Sequence, residues 1–95
     1  MKVYMIVDIW GYEYCSDDRE HNESARGVAY KTKEKAYDAI CREIALGDFT
    51  NGYGEPIIVD KLPTIEELED LWTIDQGPEY NEYNGYKIEE VEVIE

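Results

Sequence analysis

An α+β fold is expected for this 95-residue chain: a small antiparallel sheet of three to four strands packed on one main helix, with a short second acidic helix. Three features carry that expectation. The opening stretch Lys2–Trp10 is apolar on both faces, as a central strand would be. Lys33–Leu46 repeats apolar residues at helical spacing. Tyr86–Ile94 returns to strand-like composition at the end of the chain.

In the first strand Val3, Met5, Val7 and Ile9 share one face, and Tyr4, Ile6 and Trp10 share the other with Asp8. Gly11–Ser24 is polar and predicts a long exposed loop. Ala25–Tyr30 is short and β-like, suited to pair antiparallel with the first strand. Thr32 is placed to cap a helix from Lys33 to about Leu46, with Gly47 closing it. Ala36, Tyr37, Ile40, Cys41 and Ile44 form its apolar stripe. Asn51-Gly52 and Gly54 predict turns, and Ile57–Val59 a brief strand stopped by Pro63.

Thr64-Ile65-Glu66-Glu67 matches a capping box, and Ile65, Leu68, Leu71 and Trp72 mark one face of a two-turn helix behind it. Thr73–Gly85, with Gly77-Pro78 and Asn84-Gly85, predicts a loop. In the last strand Tyr86 and Ile88 have one parity and Val91 and Val93 the other. A bulge near Glu89-Glu90 would bring both pairs to one face. The order is β-β-α-(β-α)-β in a single domain over residues 1–95. The first and last strands lie side by side under the main helix, and residues 48–85 form an acidic elaboration.

Charge narrows the function classes. The chain carries 23 acidic and 9 basic residues, a net charge of −14, unevenly distributed. Residues 1–59 hold 11 acids and 7 bases, whereas residues 60–95 hold 12 acids and only Lys61 and Lys87. This argues against direct nucleic-acid binding and against an anionic membrane as target. It favours a positively charged partner. Twelve aromatics, nine of them Tyr, separate the chain from disordered acidic tails. The opening run is too short for a secretory signal, no stretch is long enough to span a bilayer, and two cysteines suit a reducing compartment. A cytoplasmic location in a bacterial host cell is expected.

Catalytic and metal motifs are weak. Cys15 and His21 are close in sequence, but no group to orient the base and no oxyanion donor accompanies them. Cys15, Cys41 and His21 are too few for structural zinc, and neither Asp17–Glu23 nor Asp75–Glu82 has the spacing of a calcium loop. Pairs such as Glu66/Glu69 and Glu79/Glu82 would need a cleft to shift one pKa. The expectation is a protein without enzymatic activity, cofactor or metal. Where acids and tyrosines interleave, a protein interface is expected. It is centred on residues 66–83 and built from Glu66, Glu67, Glu69, Asp70, Asp75, Glu79, Tyr80, Glu82 and Tyr83.

Val3-Tyr4-Met5-Ile6-Val7, the passage Gly27–Ala36, and Tyr86-Lys87-Ile88-Glu89-Glu90-Val91-Glu92-Val93 together resemble small phage and mobile-element proteins of β-β-α-β type. Segment 48–85 has no counterpart in that pattern. In size, acidity and absence of catalytic motifs the chain is also similar to phage inhibitors of host defence, anti-CRISPR proteins among them. That resemblance implies occlusion of a basic nucleic-acid-binding or protein-interaction surface, as by a nucleic-acid mimic. The competing class is an accessory or assembly module of a phage or bacterial complex, without an inhibitory role.

Overall fold

The computed structural model describes residues 1–15, 17–46, 49, 55–57, 59, 61–75 and 82–94. Its elements are β1 (Lys2–Cys15), β2 (Asp18–Tyr30), α1 (Lys33–Ala45), α2 (Ile65–Asp70), β3 (Trp72–Asp75) and β4 (Tyr83–Glu92). The strands form one antiparallel sheet in the order β2-β1-β4-β3, so the first and last strands are neighbours, as expected.

Side-chain alternation divides the sheet. Ile6, Tyr86 and Ile88 face the helices and form the core with Ala36, Ile40 and Ile44 of α1 and Leu68 of α2. The Thr32 hydroxyl caps α1 by accepting from the Lys35 amide at 3.2 Å. At the start of α2 both capping-box bonds are made: Glu67 N–H donates to Thr64 Oγ1, and Thr64 N–H donates to Glu67 Oε1, each at 3.2 Å. Arg26 ties three elements together on this side. Its guanidinium donates to both carboxylate oxygens of Asp8 on β1 and to Glu43 on α1, and lies 5.7 Å from the centre of the Tyr86 ring. The two carboxylates push the Arg26 pKa up from its ordinary value.

Several expectations are corrected. Most of the expected loop is strand: residues 11–15 and 18–24 supply the ends of β1 and β2 as an antiparallel ribbon, with Gly11↔His21, Tyr12↔Glu20 and Glu13↔Arg19 in register. A ribbon wet on both faces needs no apolar alternation, and the opposite charges of Glu13 and Arg19 favour the pairing. The second helix ends at Asp70: Leu71 is extended, and Trp72 opens β3, stacked on Tyr86 with ring centres 6.4 Å apart. Thus Thr73–Asp75 and Tyr83–Gly85, expected as loop, are strand.

β4 has no bulge at Glu89-Glu90. Its register with β1 is unbroken from Lys2↔Glu92 to Gly11↔Tyr83, so Val91 faces away from the helices beside Val3. The register shifts lie instead between β1 and β2, at Met5/Val7 and at Glu13/Cys15. Ile57 and Val59 are not in a strand, although the Ile57 amide donates to the Phe49 carbonyl at 2.8 Å and Val59 packs against the core. Leu68 in the core and β3 in the sheet make much of segment 48–85 integral to the fold. The expectations for Gly47, Asn51-Gly52, Gly54 and Gly77-Pro78 lie outside the described residues.

Candidate functional site

The residues expected to form one interface lie on two sides of the sheet. Glu66, Glu67, Glu69 and Asp70 are exposed on α2, in the helix layer. Asp75 and Glu82 are exposed at the far end of the β3–β4 pair. Tyr83 is half-buried on the opposite face, because its parity is odd to that of Tyr86 and Ile88. Glu79 and Tyr80 lie outside the described residues.

On the helix side, the α2 acids join others from β4. Leu68 seats α2 on Tyr86 and Ile88. A pocket of about 240 Å³ beside it is lined by Tyr4, Lys33, Glu69, Ile88 and Glu90, so Glu69 of α2 and Glu90 of β4 converge there. Lys33 is paired with Glu69, its ammonium 2.5 Å from that carboxylate and 5.9 Å from the centre of the Tyr4 ring. The bond to Glu69 holds the Lys33 pKa above its ordinary value. Glu90 and Glu92, both exposed, continue the negative charge along this side of β4, while Glu89 is exposed on the opposite face. The result is an acidic ridge running from α2 along β4.

On the opposite face a polar clasp spans β1. Glu23 on β2 and Lys87 on β4 flank the central strand and meet above it at 2.5 Å. Val7 and Ile9 of β1 lie beneath and are only 3% and 1% exposed. His21 Nε2 is 2.8 Å from Glu23, and His21 Nδ1 is 2.7 Å from the Tyr83 hydroxyl, which also donates to the Glu20 carbonyl at 3.3 Å. Bonds from Lys87 and then His21 hold Glu23 below the ordinary carboxylate range. Burial, then the charges of Glu13 and Glu23, push Tyr83 up. An open pocket of about 380 Å³ lies at this end, lined by Tyr12, Glu13, Arg19, Glu20, His21 and Tyr83.

This clasp was not anticipated from sequence. Its available signals were Gly11 inside a strand-like run and a histidine at the same parity as Glu23. Chemically, the centre of the clasp is satisfied internally: both carboxylate oxygens of Glu23 and both ring nitrogens of His21 have partners. Cys15 is not brought to His21. Cys15 pairs opposite Asp18 while His21 pairs opposite Gly11, a separation of about 13 Å along the ribbon. Cys15 is exposed and Cys41 half-buried. Among the described residues no group of three or more His, Cys, Asp or Glu side chains is arranged to hold a metal ion, and no helix is long and apolar enough to cross a membrane. Comparison with protein-family models, with curated proteins and with solved structures finds no match to this chain.

Proposed function

We propose that the chain is an acidic binding protein without a reaction of its own, which docks its α2–β4 ridge on a positively charged protein surface. The observation that carries this reading is the meeting of two acidic segments, distant in sequence, on the helix side: Glu69 of α2 and Glu90 of β4 line one pocket, with Glu66 and Asp70 exposed on α2 and Glu92 exposed along the same face of β4. On a chain of net charge −14, the ridge steers basic surfaces toward it and repels phosphate.

The resemblance to phage anti-defence inhibitors gives the reading its biological form. Seated on the basic groove of a host nucleoprotein, such as a CRISPR effector, the ridge would exclude nucleic acid by occupying its place. The test is capture from a bacterial lysate at low and at moderate salt, followed by competition. The captured protein should bind nucleic acid alone and lose it as this chain is added. Capture of a partner that retains its nucleic acid would replace inhibition with the accessory-module reading.

A further inference from the structure

β4 is paired along its whole length on one side only. β1 matches it from Tyr83 to Glu92, but β3 stops at Trp72↔Tyr86. Among the described residues, no strand pairs with the outer edge of Lys87–Glu92. Such an edge presents backbone N–H and C=O groups to any extended chain that reaches it. Of the two outer strands, β3 offers only Trp72–Asp75, and β2 is a poorer template because its register is interrupted twice, irregularities that bend an edge away from pairing. The Lys87–Glu92 stretch is regular throughout.

Charge specifies what this edge accepts. Lys87 is held by Glu23 across the opposite face, which leaves Glu89, Glu90 and Glu92 to set the sign of the stretch. Glu90 accepts from the Tyr4 hydroxyl at 3.3 Å and is 3.6 Å from Lys2, but exposed pairs of this kind contribute little and yield readily to a partner. α2 adds Glu66, Glu69 and Asp70 on the helix side. A second copy of the chain is disfavoured as occupant, since it brings another −14 of charge to an edge that is already negative.

We infer that the outer edge of β4 from Lys87 to Glu92 receives an extended, lysine- or arginine-rich segment of the partner, which joins the sheet as a further strand. This rests on the basic-partner reading above and adds its binding mode. Backbone hydrogen bonds hold the segment, while cations at every second position, which share one face of a strand, meet Glu90 and Glu92.

The probe is a short synthetic peptide alternating lysine with valine, in three forms: unmodified, N-methylated at the lysines, and N-methylated at the valines. Methylation removes backbone donors and keeps the charge. The unmodified peptide should slow amide exchange within Lys87–Glu92. One methylated form should bind about tenfold or more weakly while the other is little changed, because only alternate amides of a strand face its neighbour. Equal binding of all three forms, protection of β2 instead, or amides on this stretch already fully protected in the free protein would each overturn strand addition. A captured basic partner that leaves these amides unprotected would sink strand addition while the docking reading stands.

Discussion

The His21 imidazole and the Tyr83 hydroxyl, 62 positions apart in the chain, meet at 2.7 Å over the central strand, with Gly11 in register between them. The close approach requires glycine. A Cβ on Gly11 would lie 2.6 Å from the Tyr83 hydroxyl and would also collide with the Glu20 carbonyl. Gly11→Ala should therefore destabilise the protein by about 1–3 kcal/mol, as overpacking does. Gly27→Ala is the control: nothing lies within 4 Å of its added Cβ. It should change stability by no more than about 0.5 kcal/mol. Urea unfolding of both variants checks the pair.

The clasp should make stability depend on pH through Glu23 and Lys87. Glu23 is held below its ordinary value of 4.5, so its contribution is full above that value and is lost as pH falls through the depressed native one. Lys87 is held above 10.5 by Glu23, so its contribution is full below that value and is lost as pH rises through the raised one. Glu23→Gln should lower the thermal midpoint near neutrality, and its difference from the parent should shrink toward pH 3. A difference constant from pH 7 to pH 3 would contradict the assignment.

Arg26 is the link between β2, β1 and α1. Arg26→Met keeps much of the stem and removes the charge, leaving Asp8 and Glu43 without their shared cation. About 1–2 kcal/mol should be lost, a figure reduced for the partial exposure of the group. Adding Asp8→Asn and Glu43→Gln should restore part of it. Denaturant titration of the single and triple variants measures both effects.

Thr64 supports the acidic helix through two observed bonds. Thr64→Ala should cost about 0.5–2 kcal/mol. An unchanged melting midpoint would mean that α2 does not depend on its cap.

What the sequence disclosed was local. Thr32 and the stripe Ala36, Ile40 and Ile44 specify α1 within a few turns, and Thr64 with Glu67 specifies the start of α2, so both were legible. The polar ribbon was not, because pairs such as Glu13↔Arg19 hold it across strands rather than along them. Trp72 follows Leu68 at a helical interval, and its strand position is set by stacking on Tyr86, a tertiary contact. Asn84-Gly85 has turn composition, yet Gly85 is buried in β4 because an added Cβ there would run into the backbone of β3. Of the expected interface, the α2 acids were legible through charge alone. Their convergence with Glu90, and the separation of Tyr83 onto the other face, follow from sheet order, which composition does not encode.

The association rate with the captured partner, followed across salt concentration, tests the docking account most directly. Glu66, Asp70 and Glu92 are exposed on the helix side, so reversing all three to Lys should leave the fold intact and weaken the steering field. The parent should associate about tenfold or more faster at low salt than at high salt. In the triple variant the low-salt rate should fall toward the high-salt value and the salt dependence should flatten. A variant that binds the same partner at the parental rate across the whole salt range would contradict docking through the ridge.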